Sequence, residues 1–409
     1  MSVTKNAAVG FIFITLLVDV IGFGIIIPVT PTLIGELKHL QGDMSRASQY
    51  GSWLMFAYAG MQFLFAPFFG ALSDRFGRRP VLLFSLFGFG LDYLLMALSP
   101  NYTWLVIGRI ISGITGATIS TGFAYIADIS TPENRAKNFG LVGAAFGLGF
   151  IIGPLIGGLL GQFGPRVPFY AAAVLALLNW IYGFFILPES LPLEKRRRFE
   201  WARANPLSSL IRLAKYPALG GIVVAFILMF LASHAVQSNW SFFTMFMFNW
   251  DEKMVGISLA VVGLLVAVVQ GWLTRYVNPW LGNEKSIYLG LLLYTVGMFL
   301  FGIANRGWMM FLFLVPYCFG GIAQPALQSV MSGRVPANEQ GEMQGAITSL
   351  QSACAILGPI VMNNLFFYFS HDDAVVKLPG APFLLGSILL LGAFWVAYRS
   401  LHIRKALQD

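Results

Sequence analysis

Apolar runs of about twenty residues, parted by short polar turns, recur from one end of the chain to the other. A helix needs ~20 apolar residues to cross a bilayer. On that ruler twelve spans are expected, at 8–33, 49–72, 80–99, 103–127, 138–161, 167–187, 217–241, 254–276, 286–304, 308–332, 343–368 and 380–398. The first run holds Asp19 and Pro28, lacks a small-residue cleavage site and exceeds a signal-peptide core, so it reads as a membrane helix. One long polar segment interrupts the rhythm, between the sixth and seventh spans, and carries Lys195, Arg196, Arg197, Arg198, Arg203, Arg212 and Lys215. The chain therefore divides into an N-terminal bundle at 1–187, a basic cytoplasmic linker at 188–216 and a C-terminal bundle at 217–409.

Composition agrees. Of 409 residues 57% are hydrophobic and 11% charged, whereas soluble domains carry about 25% charged residues. The net charge of +8 sits in turns between apolar runs, so it reports topology and not a nucleic-acid partner. With the N-terminus inside, nineteen of the 26 Lys and Arg residues fall in inside segments and six outside, with Arg109 within a span. That asymmetry places both termini in the cytoplasm. Cys318 and Cys354 lie in apolar runs and the four histidines are scattered, so neither metal nor cofactor is expected.

The two halves repeat each other. Residues 140–154 read GLVGAAFGLGFIIGP and residues 345–359 read GAITSLQSACAILGP, an offset of 205 residues. Each follows a polar inside loop and falls in the fifth span of its half, which indicates a duplicated six-helix unit.

The turn at 70–80 reads GALSDRFGRRP, with Asp74, Arg75, Arg78 and Arg79 set between and after Gly70 and Gly77. Any short inside turn collects arginines, but this pattern resembles the loop between helices 2 and 3 of major facilitator superfamily transporters. Four more stretches, LVIGRIISGITGATIS, GLGFIIGPLIGG, TPENRAKNFG and GGIAQPALQSVMS, resemble the drug/proton antiporters of that superfamily and the bacterial tetracycline efflux proteins among them. The resemblance implies an all-α membrane protein with twelve transmembrane helices in two pseudo-symmetric six-helix bundles. It implies a proton-coupled antiporter of the bacterial cytoplasmic membrane that exports small amphipathic molecules; a monomer is expected. It makes the turn a conformational latch, with Asp74 beside the start of the eleventh helix near Gly341 and Arg78 reaching Asp128, Arg135 following nearby. It also makes Gly149, Gly153, Pro154, Gly157 and Gly158 an antiporter motif that limits leakage, although small residues also serve simply as a packing face. Two departures stand out: tetracycline pumps carry a histidine where this chain has Val266 and an aspartate where it has Tyr294.

An ionisable group in the bilayer interior costs several kcal/mol and calls for a reason. Asp19, Asp92 and Arg109 are the three charges well inside spans, and Asp19 lies ~16 Å along the first helix, near mid-membrane. The C-terminal spans hold no Asp or Glu, so a proton-carrying site belongs in the N-terminal half, with Asp19 foremost and Asp92 next. A purely structural salt-bridged triad is the competing reading. For the substrate cavity the candidates are Gln62, His234, Gln237, Asn239, Trp240, Tyr294, Gln324, Gln328 and Gln351, which interhelical packing would equally use. A symporter or facilitator for a metabolite is the alternative within transport. An enzyme is excluded by the lack of a nucleophile–base pair or metal-ligand set within the spans, and a channel by the lack of a charged ring or filter repeat.

Overall fold

A computed structural model describes residues 5–116, 118–131, 134–197, 199, 219–335 and 340–408; the side chains of 5–8, 135–137, 195, 340–342 and 403–408 lie outside the described set. Every regular element among them is helical, as bilayer-spanning backbone must be when no edge can be left unpaired. The N-terminal half comprises α1 (Lys5–Ile26), α2 (Thr30–Leu37), α3 (Met44–Phe76), α4 (Arg78–Leu98), α5 (Tyr102–Thr115), α6 (Thr118–Ile129), α7 (Arg135–Gly161) and α8 (Val167–Ile186). The C-terminal half comprises α9 (Gly220–Gln237), α10 (Trp240–Phe248), α11 (Glu252–Val268), α12 (Thr274–Ile303), α13 (Gly307–Phe319), α14 (Ala323–Ser332), α15 (Gln340–Ser370) and α16 (Ala381–Gln408).

Several expected spans are broken helices. The fourth pauses at Gly116 between α5 and α6, the seventh between α9 and α10, and the tenth passes through a 3₁₀ turn, Gly320–Ile322. Eleven helical stretches among the described residues are long and apolar enough to cross a membrane. The expected eighth and ninth spans account for the difference: Glu252–Ile303 is one stretch only by length and composition, and a non-helical break at Gly282 parts it into two helices. That stretch holds a π-helical turn, Val269–Leu273, and a bend at Gly282, whose φ of +79° only glycine adopts cheaply. Gly77 plays the same part between α3 and α4 with φ of +105°. The two glycines stand 205 residues apart, the same offset as the repeated glycine–proline segments.

The chain forms two compact units. Unit 1 comprises Met1–Gly42, Ala57–Pro206 and Asp251–Ala260; unit 2 comprises Asp43–Phe56, Leu207–Trp250 and Val261–Asp409. Chain order alone would keep 43–56 with the first half and 251–260 with the second; packing assigns them otherwise. In unit 2, Ser48 Oγ donates to the Asn363 carbonyl at 3.3 Å and Gln49 Nε2 to Asn364 Oδ1 at 3.3 Å. In unit 1, Thr32 Oγ1 donates to Glu252 Oε1 at 2.6 Å, and a Cβ on Gly158 would lie 3.0 Å from the Gly256 Cα.

Unit 1 has a core of Phe11, Ile12, Leu16, Leu82, Tyr125, Ile126 and Val142. Its tightest seam joins α1 and α7. A Cβ on Gly149 would come 2.6 Å from Val20, one on Gly153 would come 2.9 Å from Gly24 Cα, and one on Gly157 would collide with the Ile25 carbonyl. Unit 2 is held by aromatic pairs, among them Trp240–Phe301 at 5.2 Å, Phe243–Phe383 at 4.8 Å and Tyr294–Tyr317 at 5.2 Å.

Candidate functional site

The three intramembrane charges all lie in unit 1. Asp92 on α4 is fully buried and pairs with Arg109 on α5 through Nη2 and Oδ2. Gly108 makes the approach possible, since a Cβ there would lie 2.7 Å from Asp92 Oδ1. The pairing is partial: Asp92 Oδ1 and Arg109 Nε are buried without a hydrogen-bond partner. Asp19 on α1 has both carboxylate oxygens buried and unpartnered, with the Thr118 hydroxyl beside it but outside hydrogen-bond geometry.

Two tyrosines complete the cluster. The guanidinium of Arg109 lies over the Tyr58 ring, 5.7 Å from its centroid. Tyr58 on α3 and Tyr93 on α4 are each within electrostatic reach of Asp19, Asp92 and Arg109, so the three charges share one neighbourhood. Gln62 Nε2 donates to Tyr58 Oη at 3.2 Å and to the Gly116 carbonyl at 3.3 Å. Two carboxylates against one guanidinium leave one negative charge uncompensated, and a lone buried ion costs several kcal/mol. A proton or a cationic group relieves that cost. Tyr58 and Tyr93 escape sequence reasoning, because one tyrosine in an apolar run looks like ordinary packing. The only trace is the four-residue spacing of Tyr58 and Gln62, which puts them on one helix face.

The remaining cavity candidates are all in unit 2, and they divide. His234 is buried against α15, where a Cβ on Gly358 would collide with its ring. Gln237 is exposed and donates to Ser233 Oγ at 3.0 Å. Asn239 is fully buried with both amide atoms unpartnered. Trp240 is a core residue, 2% exposed and packed edge-on to Phe301, because the break before α10 turns its ring inward. Tyr294 lies against Tyr317, while Gln324, Gln328 and Gln351 are half-buried.

The 70–80 turn is an ionic knot. Arg78 Nη1 meets Asp74 Oδ1 at 2.6 Å and Ser73 Oγ at 2.6 Å, while its Nε meets Asp128 Oδ2 at 3.0 Å. Arg75 lies over the Phe76 ring, and Arg79 donates to the Phe184 carbonyl at 2.7 Å. Nothing within 4 Å would meet a Cβ on Gly70. Gly341 is the second residue of α15, and the side chain of Arg135 lies outside the described residues. A residue not anticipated from sequence closes the knot. Glu189, just past α8, accepts the backbone N–H of Arg78 at 2.8 Å, of Arg79 at 3.2 Å and of Leu191 at 3.0 Å. It caps the N-terminus of α4, where the helix dipole favours a carboxylate.

The glycine motif of α7 serves two partners. Gly149, Gly153 and Gly157 face α1 and Gly158 faces Gly256 of α11, while Pro154 Cδ would lie 2.8 Å from a Cβ on Gly24.

The Major Facilitator Superfamily family model matches residues 12–359. The class C tetracycline resistance protein of Escherichia coli is 41% identical across 88% of this chain and 90% of its own length. The class H tetracycline resistance protein of Pasteurella multocida is 35% identical across 98% and 97%. The crystal structure of the human organic anion transporter MFSD10 (TETRAN) is similar with a TM-score of 0.71 at 26% identity, over 97% of this chain and all of that one.

Proposed function

Because this chain belongs to the Major Facilitator Superfamily, we propose that it is a proton-coupled antiporter that exports small amphipathic organic molecules by alternating access. It is a multi-pass membrane transporter of a small molecule and not an enzyme. The observation that carries the finer reading is Asp19, a buried carboxylate with no partner at either oxygen, next to an ion pair that is itself half satisfied. Such a group is stable when it holds a proton and poised to lose it when its surroundings open to water. The names of the relatives and the glycine–proline motif of α7 support export over uptake. The bacterial relatives support the inner membrane, and the excess of Lys and Arg in alternate turns supports both termini being cytoplasmic.

Asp19→Asn is expected to abolish uphill transport driven by a pH gradient in proteoliposomes, with yield and thermal stability near parental. Ethidium serves as the first probe, and parental uphill transport in the variant would refute the assignment. Tetracycline itself is expected to be a poor cargo. Val266 and Tyr294 stand where tetracycline pumps carry ionisable side chains, and Tyr294 is committed to an edge-on contact with Tyr317. Expression in a sensitive host is expected to give much less tetracycline resistance than an authentic pump at matched level. Equal resistance would show that neither position governs the choice.

A further inference from the structure

We propose that Tyr58, braced by Gln62, is a positioning residue for Arg109: its ring face holds the guanidinium beside Asp92, in the neighbourhood it shares with Asp19, while leaving it free to turn. The inference rests on the proton-coupled reading and concerns how the carboxylates share their one counter-charge.

The geometry begins with how loosely Arg109 is tied. A guanidinium that grips a carboxylate through two parallel N–H groups is fixed in direction as well as place. Arg109 meets Asp92 through Nη2 alone, and its Nε is buried without a partner. The second hold on the charge is the Tyr58 ring, 5.7 Å below it. An aromatic face attracts a cation through the ring quadrupole. That attraction keeps the charge near the ring without naming which N–H must point where, so the guanidinium has a pivot instead of a clamp.

The pivot itself is rigid. Tyr58 Oη accepts from Gln62 Nε2, which also donates to the Gly116 carbonyl where α5 ends. The backbones of α3 and α5 touch at the same level: a Cβ on Gly113 would lie 2.5 Å from the Tyr58 carbonyl oxygen and 2.6 Å from Met61 Cβ. The contact with α5 fixes the Tyr58 backbone, and the Gln62 hydrogen bond holds the ring. The titratable groups that share this neighbourhood are Asp19 from α1, Tyr58 from α3 and Asp92 and Tyr93 from α4.

The test needs no knowledge of the cargo. The full chain in lipid is titrated while the infrared C=O band of protonated carboxyl groups is followed, with Asp19→Asn and Asp92→Asn identifying the contributing groups. Tyr58→Phe keeps the ring face but loses the Gln62 brace, and is expected to move the midpoint by clearly less than Tyr58→Leu does. Tyr58→Leu removes the face and is expected to move the midpoint by roughly one pH unit, the size of a desolvated cation–π contact converted at about 1.4 kcal/mol per unit. A purely structural tyrosine would lower thermal stability and leave the midpoint where it was. An unmoved midpoint in Tyr58→Leu, or in Tyr58→Met should the leucine chain not fold, overturns the positioning role. An equal shift in Tyr58→Phe overturns the ring-face hold. If the parent shows no carboxyl titration that either aspartate variant removes, the proton-coupled reading falls and takes this inference with it.

Discussion

Glu189 stands 111 residues from the Arg78 N–H that it caps. In the sequence it is one acid at the edge of a basic linker, and nothing in its spacing points back to the 70–80 turn. Asp19, Asp92 and Arg109 are legible for the opposite reason: a charge inside an apolar run contradicts its surroundings, so its presence alone is a signal. Their grouping is not legible, since it depends on which faces of α1, α4 and α5 meet. Glu189→Gln retains an acceptor but removes the charge that complements three backbone N–H groups and the α4 dipole. It is expected to destabilise the protein by about 0.5–1 kcal/mol, read as a small fall in thermal midpoint in detergent. Gly77→Ala should cost more, because it forces a side chain onto φ of +105° and against the Glu189 carboxylate. A Glu189→Gln chain less stable than Gly77→Ala would contradict this ranking.

At the scale of elements, glycine spacing announces that α7 packs closely against something, but not against what. Four-residue steps through Gly149, Gly153 and Gly157 make one face, and the structure assigns it to α1; the neighbouring Gly158 turns to α11. A sequence pattern carries the period of a helix and not the identity of its neighbour. The seam makes a graded prediction for alanine. At Gly143 a Cβ meets nothing within 4 Å, so Gly143→Ala is expected to be neutral. Gly149→Ala strikes Val20 at Cγ1 and Cβ, 2.6 and 2.7 Å away, and a β-branched side chain yields little, so the cost should be intermediate. Gly157→Ala strikes the Ile25 carbonyl, which cannot rotate away, so the helices must separate at a cost of about 1–3 kcal/mol. Passive proton influx into proteoliposomes is expected to rise in that order, and leakage from Gly143→Ala equal to that from Gly157→Ala would refute it.

At the scale of the molecule, the helical class and nearly every span were legible, because each bilayer crossing demands a long apolar run and leaves a polar turn behind it. The place of the kink at Gly282 between the eighth and ninth spans was not, since a bend at one glycine leaves almost no trace in hydropathy. Nor was the allocation of 43–56 and 251–260, which chain order does not encode. The glycines at 77 and 282 turn the backbone the same way, 205 residues apart. The backbone bend is the same and the side chains that follow it differ: Arg78 ties Asp74 to Asp128, whereas Asn283 Nδ2 donates to Ser329 Oγ at 3.0 Å. What the two turns share is a glycine at positive φ. A saturation library scored by transport is expected to reject nearly every replacement of Gly77, Arg78 and Gly282, while Asn283 accepts most small polar residues. Should Asn283 prove as intolerant as Arg78, the second turn has kept a duty that its chemistry does not display.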